Sequence, residues 1–229
     1  MSQLILYQGT FGIVLATDSR AVRFDPLGEP QHFTLSKLYP LTSTTALATV
    51  GAGYGHQLCQ AFQERIRKLP RARGEDITEL AFHFLAGELQ AQSRQAAQVG
   101  DPDLQRVYFV LAGNIVENSI APIGFVVYAS DHATDSLHPL ETDHFVCIPR
   151  QLSLETRLRQ LAVDETSWEQ VEDYCTRFLL RMAATSDDIG PPFLLTRISR
   201  EGVVTRMVQQ SQPKSDQNLE QNHTRKPQL

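Results

Sequence analysis

The sequence predicts an α+β fold in which two β-sheets are buried between layers of helices, and three observations favour this class. The chain has 229 residues, of which 41% are hydrophobic, so it can bury one sizeable core as a single domain. Its apolar patterns predict elements in the order strands, two helices, strands, one helix and strands. A fold of βαβ units would instead alternate single strands with single helices. No short-period internal repeat is evident.

The start of the chain predicts four strands. Residues 3–7 and 13–17 are apolar runs on either side of Gly9 and Gly12, and glycines at such positions allow the tight turn of a hairpin. After a loop with Pro26, Gly28 and Pro30, residues 32–41 and 44–50 are rich in β-branched or apolar side chains. The N-terminus is therefore expected to begin inside a strand.

The rest of the chain predicts helices and then further strands. Apolar side chains recur at intervals of three and four over 53–69, and again over 77–89 until Gly100 and Pro102 interrupt the pattern. Residues 107–112, 125–128 and 144–148 predict strands, 168–182 a long helix, and 193–199 with 203–208 a closing hairpin. We expect one domain over 2–209, followed by a polar, disordered tail over 210–229.

Charge and composition argue against several classes of function. The formal net charge is -5 with both signs interspersed, so no basic surface predicts binding to nucleic acid or to an anionic membrane. The start lacks the features of a signal peptide, and no apolar run is long enough to span a bilayer, which predicts a cytoplasmic location. Three widely spaced cysteines, and histidines without ligand spacing, predict neither a disulfide nor a metal site. No cofactor is expected.

Four features near the start of the chain belong together. They are Ser2 behind the initiator Met, Asp18-Ser19-Arg20, Lys37 on a later strand, and Gly51 and Gly53 before the first helix. In this order and spacing the chain resembles a proteasome β-subunit, and Gly190-Pro191-Pro192 is similar to a segment of Anbu, the bacterial proteasome homologue. The resemblance implies a four-layer αββα sandwich of the Ntn-hydrolase type.

The resemblance also implies a catalytic role for Ser2 once Met1 has been removed. Its hydroxyl would be the nucleophile, and its own α-amine, with an ordinary pKa of about 7.7 to 8.0, would accept the proton. Lys37 would add positive potential beside Ser2, and Asp18 would hold Lys37 by a charge-assisted hydrogen bond. The N–H of Gly51 would stabilise the oxyanion, because glycine admits the close approach of a substrate carbonyl.

The remaining implied residues are Asp187 and Asp188 near the nucleophile, with Arg20 and Gly53 at the substrate. The implied function is hydrolysis of peptide bonds by an N-terminal serine. The substrate would be an unfolded polypeptide enclosed in a homo-oligomeric ring. An unfoldase ATPase is a further candidate partner.

Two departures from the family leave alternatives open. Ser2 stands where threonine is usual, and the expected Gly-Ser-Gly segment is not found, with residues 147–151 in its approximate place. A proteasome-like subunit without turnover and an Ntn amidase acting on a small amide are therefore alternatives. Structural interpretations also stay open: Ser2 as an ordinary terminus, Asp18 as a strand-end brace, Lys37 as an edge-strand lysine, and Asp187 and Asp188 as parts of a helix-to-strand turn.

Overall fold

The computed structural model describes residues 2–69, 74–99, 106–115, 123–130, 136–163 and 166–209. Over these residues the chain forms twelve strands and four helices. The expected tail over 210–229 and the expected break at Gly100 and Pro102 lie outside the described residues. None of the helices in the described part combines the length and the apolar character needed to cross a bilayer.

The elements follow one another in two groups. The first group is β1 (Leu4–Gly9), β2 (Gly12–Thr17), β3 (Arg20–Phe24), β4 (Pro30–Thr34), β5 (Leu38–Pro40), β6 (Thr45–Gly51), α1 (Tyr54–Arg67) and α2 (Gly74–Val99). The second group is β7 (Val107–Asn114), β8 (Ile123–Ser130), β9 (His138–Leu140), β10 (Phe145–Ile148), α3 (Leu152–Val163), α4 (Trp168–Thr185), β11 (Phe193–Ser199) and β12 (Gly202–Val208).

The described strands form three antiparallel sheets. One has the order β10-β1-β2-β11-β12, the second has the order β5-β6-β7-β8-β9, and the third contains only β3 and β4. Strand β1 is flanked on both sides, because Leu4 is paired with Thr17 of β2 and with Ile148 of β10. The chain therefore enters the interior of a sheet only two residues after Ser2.

Buried apolar side chains hold these elements together in three clusters. The two five-stranded sheets pack on each other through a cluster that includes Leu4, Leu15 and Val110. Helices α1 and α2 contact the second sheet around Phe62, and α3 and α4 contact the first sheet around Phe193. Because side chains alternate along a strand, neighbouring residues such as Leu4 and Ile5 belong to different clusters.

The prediction of a four-layer αββα sandwich of the Ntn-hydrolase type is wrong for this chain. In the described residues, twelve strands outnumber four helices, and the strands divide into three antiparallel sheets instead of the two that this sandwich has. The third sheet arises where the sequence predicts a loop followed by one strand over 32–41. Asp25 Oδ1 accepts the N–H groups of Leu27 at 2.8 Å and Glu29 at 2.9 Å, which turns the chain so that β3 pairs with β4.

Most other elements agree with the predicted ones. The strands expected at 3–7 and 13–17, the helices expected over 53–69, 77–89 and 168–182, and the closing hairpin are confirmed. Helix α3 was not predicted, although Leu154, Leu158 and Leu161 recur at helical spacing and are all buried. Strand β9 was also not predicted, because three residues are too few to show a period.

The core cluster beneath α1 and α2 supports a stability prediction. Phe62→Ala removes a fully buried ring, so we expect unfolding in urea to show a loss of about 3 to 5 kcal/mol. The matched variant is Phe24→Ala, because Phe24 is 62% exposed on the β3-β4 hairpin and should change stability by no more than about 0.5 kcal/mol. Equal losses in both variants would contradict this placement of the core.

Candidate catalytic site at the start of the first strand

The buried carboxylate of Asp18 is the centre of the candidate site. Asp18 follows β2 and has no exposed surface. Its Oδ1 accepts the N–H of Gln3 at 2.8 Å, and its Oδ2 accepts the N–H of Arg20 at 3.0 Å. Lys37 Nζ donates to both oxygens at 2.8 Å. Three donor groups from separate parts of the chain therefore fix this carboxylate in one orientation.

Lys37 immediately precedes β5 and is almost completely buried. Its ammonium donates a further hydrogen bond to the carbonyl oxygen of Arg20 at 2.7 Å. Since an ammonium carries three hydrogens, all three have acceptors here. Burial lowers the pKa of Lys37, and the charge and hydrogen bond of Asp18 act in the opposite direction. The lysine is thus a fixed group whose position depends on Asp18.

Ser2 lies close to this ion pair. It is half-buried and immediately precedes Gln3, whose N–H is bonded to Asp18. Adding a peptide C–N bond of about 1.33 Å to the two 2.8 Å hydrogen bonds places the Ser2 carbonyl carbon at most about 7 Å from Lys37 Nζ. The structure therefore brings together Ser2, Asp18 and Lys37, which lie far apart in the sequence.

Gly51 reaches the same region through the register of the second sheet. The N–H of Thr49 donates to the carbonyl of Lys37 at 3.0 Å. Backbone N–H groups of alternate residues point to the same side of a strand, so the N–H of Gly51 points to the β5 side, about 7 Å further along. The last paired residues of β5 and β6 are Leu38 and Ala48, so Gly51 lies beyond the paired part of β5.

The conformation of Gly51 requires the absence of a side chain. Its φ is 105°, and a Cβ built at this position would lie 2.1 Å from the carbonyl oxygen of Arg106. Gly53 differs, because a Cβ there would meet nothing within 4 Å. Gly53 therefore faces open space next to the site, and its predicted contact with substrate stays a prediction.

Arg20 connects the site to the segment before β11. Its Nη1 donates to the backbone carbonyl of Asp187 at 2.9 Å, and its guanidinium lies so close to Gly190 that a Cβ there would be 2.4 Å from Nε. The N–H of Ser19 also donates to the carbonyl of Gly190 at 3.1 Å. The structure thus brings the segment containing Asp187 and Asp188 to the strand end at Asp18, through backbone atoms of Asp187 and Gly190.

One buried hydroxyl near the site was missed from the sequence. Ser130 is 1% exposed and ends β8, where it is paired with Val107, which in turn is paired with Gly51. It therefore lies two strands from Gly51, at the same end of the second sheet. The predicted strand over 125–128 stopped short of it, although the buried run continues to 130.

Residues 147–151, which occupy the approximate place of the expected Gly-Ser-Gly segment, lie on the side of β1 opposite to β2. There Gln3 Nε2 donates to Pro149 O at 3.3 Å.

The burial of the ion pair supports a second prediction. Asp18→Asn removes the charge that offsets the buried Lys37 ammonium, so we expect a loss of about 3 to 5 kcal/mol in the free energy of unfolding. The exposed i,i+4 pair of Asp173 and Arg177 on α4 is the comparison, and Asp173→Asn should cost less than about 1 kcal/mol. Chemical denaturation measures the free energy of unfolding of both variants. A smaller loss in Asp18→Asn than in Asp173→Asn would contradict the buried ion pair.

The two glycines before α1 provide a third prediction. Gly51→Ala should lower the thermal unfolding midpoint, with a cost of more than about 1 kcal/mol, because φ is positive and the Cβ meets backbone. Gly53→Ala should leave stability within about 0.5 kcal/mol, since the space is open and φ is -60°. Differential scanning calorimetry of the pair measures this, and a tolerated Gly51→Ala would contradict it.

Comparison of the sequence with known proteins assigns no family to the chain. No protein-family model matches the chain, and no curated protein is significantly similar to it.

Proposed function

We propose that this chain is a proteasome-like peptidase whose nucleophile is the hydroxyl of Ser2, exposed at a new N-terminus when Met1 is removed. The observation that carries the proposal is the position of Ser2 beside a buried ammonium that is held by Asp18. Lys37 is buried and paired with Asp18, so it provides a fixed positive charge near the α-amine that Ser2 would carry after Met1 is removed. Without such a charge nearby, this amine would be protonated. That charge favours the neutral amine, which is the form that can act as a base.

The proposed reaction has two stages with balanced proton transfers. Ser2 Oγ attacks the carbonyl carbon of the scissile peptide, and its proton moves to the α-amine of Ser2. The carbon–nitrogen bond then breaks, and the resulting α-ammonium gives its proton to the departing amine, which leaves an ester on Ser2. A water molecule, deprotonated by the same α-amine, then attacks the ester carbonyl. The bond from that carbon to Ser2 Oγ breaks, the product leaves as a carboxylic acid, and the α-ammonium returns its proton to Oγ, which restores the free hydroxyl. The oxyanion of each tetrahedral intermediate would be stabilised by the N–H of Gly51.

Lys37 contributes as a fixed charge in this mechanism. All three hydrogens of its ammonium have acceptors, namely the two oxygens of Asp18 and the carbonyl of Arg20. It is therefore not placed to take the proton of Ser2. Its positive potential instead lowers the pKa of the neighbouring α-amine and stabilises the alkoxide that forms during attack.

The wider setting of the proposal follows from the family resemblance. We infer unfolded polypeptides as substrates, a homo-oligomeric ring as the assembly, and the cytoplasm as the location. An unfoldase ATPase would be the partner that supplies such substrates. Asp187 and Asp188 would support the site from the segment before β11, which is hydrogen-bonded to Ser19 and Arg20. Arg20, on β3, would contact the substrate.

A peptide epoxyketone tests the nucleophile directly, because this group forms a ring with both the hydroxyl and the free amine of an N-terminal residue. Intact and peptide mass spectrometry should show removal of Met1 and one adduct on Ser2. Ser2→Ala should abolish the adduct, and Lys37→Met should slow its formation by roughly 100-fold or more. Lys68→Met, at the exposed end of α1, is the matched control and should react like the parent.

Two results would contradict the proposal. One is a Met1 that stays attached in the purified protein. The other is a free Ser2 that the probe leaves unmodified, which would favour a subunit without turnover.

A further inference from the structure

The backbone around Lys37 is held at three consecutive carbonyl groups. The hydroxyl of Tyr39 donates to the carbonyl of Ser36 at 2.5 Å, and the N–H of Thr49 donates to that of Lys37 at 3.0 Å. The Ser36 hydroxyl donates to the carbonyl of Leu38 at 2.9 Å. Of these donors, only Thr49 is a backbone N–H group, and its bond continues the pairing of β6 with β5 one residue beyond β5. The other two are side chains that fix the chain immediately before and after the lysine.

Tyr39 is itself held by His56, and the direction of this bond can be assigned. The carbonyl of Ser36 can only accept, so the single hydrogen of the Tyr39 hydroxyl must point to it. His56 Nδ1 is bonded to the same hydroxyl oxygen, and it must therefore be the donor. The bonds run from His56 Nδ1–H to the Tyr39 hydroxyl and from there to the Ser36 carbonyl. Burial also raises the pKa of Tyr39, which keeps its hydroxyl protonated.

This chain of bonds joins two parts of the candidate site. Tyr39 is on β5, 5% exposed, and belongs to the cluster around Phe62, while His56 is in the first turn of α1. The two rings lie 5.6 Å apart between centroids. Helix α1 begins three residues after Gly51. The bonds therefore connect the segment that carries Lys37 with the helix start that follows the proposed oxyanion donor.

We propose that Tyr39 and His56 are positioning residues that hold the backbone of Lys37 in the place from which its charge acts on Ser2. This inference rests on the proposed function for its effect on the reaction. The geometry of the lysine segment can be measured independently of any reaction. Neither residue is placed in contact with the substrate, so both act through Lys37.

The experiment measures two quantities on the full-length protein. The first is the rate at which acetic anhydride, in trace amounts, acetylates Lys37, with the exposed Lys68 as internal reference. The second is the rate of epoxyketone addition to Ser2. Tyr39→Phe keeps the buried ring and deletes only the hydroxyl, so it should raise the relative acetylation of Lys37 and slow labelling of Ser2. Loss of one net hydrogen bond predicts a change of roughly three- to tenfold in each rate.

Substitutions of His56 test the assigned direction. His56→Ala removes the donor and should behave like Tyr39→Phe. His56→Asn places an amide N–H near the position of Nδ1 and should restore both rates to near those of the parent, whereas His56→Gln should not. Since the relay is one unit, Tyr39→Phe combined with His56→Ala should change the rates no more than either alone.

The matched control is Tyr54→Phe. The hydroxyl of Tyr54 is buried next to the same cluster but has no hydrogen-bond partner among the described residues. Its removal should leave both rates unchanged. A thermal melt of each variant confirms that the rates are measured on folded protein.

The outcomes separate this inference from the proposed function. If Ser2 is unreactive in every protein but Lys37 becomes accessible in Tyr39→Phe and His56→Ala and is protected again in His56→Asn, the positioning role stands and the peptidase does not. If Ser2 reacts and Tyr39→Phe matches the parent in both rates, the positioning role is overturned. It is also overturned if His56→Asn fails to rescue His56→Ala, because a general loosening of the core would then explain the change.

Discussion

The buried ion pair between Asp18 and Lys37 is the interaction on which the site depends. Asp18 immediately follows β2 of the first five-stranded sheet, and Lys37 immediately precedes β5 of the second, so the pair joins the two sheets at one end. Burying two charges costs several kcal/mol for each ion, and the cost is offset only when the geometry is good and the other hydrogen-bonding groups are satisfied. Here the N–H groups of Gln3 and Arg20 donate to the carboxylate of Asp18, and the carbonyl of Arg20 accepts a hydrogen bond from the ammonium of Lys37.

The need to satisfy these two buried charges explains why several backbone groups take part in the site. The N–H of Gln3 donates to Asp18, and Ser2 is joined to Gln3 by a peptide bond. The hydrogen bond to Asp18 therefore limits where Ser2 can lie. Arg20 serves twice, since its carbonyl accepts from Lys37 and its guanidinium packs on Gly190. A site built on strand ends is held more precisely than one on a free loop. The arrangement therefore ties Gln3, and with it the adjoining Ser2, to the buried ion pair.

The errors in the predicted fold have local physical causes. The strand expected over 32–41 is divided, because the N–H of Leu35 donates to Ser19 O and the chain leaves β4 before it enters β5. The turn at Asp25, closed by its side chain and by backbone hydrogen bonds between Asp25, Gly28 and Glu29, then pairs β3 with β4 in a separate sheet. Helix α3 could have been predicted, since its buried leucines recur at the spacing of a helix.

What the sequence determined by itself is local, namely the period of each apolar run and the turn residues between runs. The candidate residues Ser2, Asp18, Lys37 and Gly51 came from the family resemblance that their order and spacing carry. Only the tertiary structure decided that Ser2 lies beside Lys37 and Asp18, that Ser130 ends a strand in line with Gly51, and that His56 and Tyr39 hold the lysine segment. The physical reason is that local periodicity depends on neighbours along the chain. Contacts between distant residues depend on strand register and sheet packing, which are set only when the whole core forms.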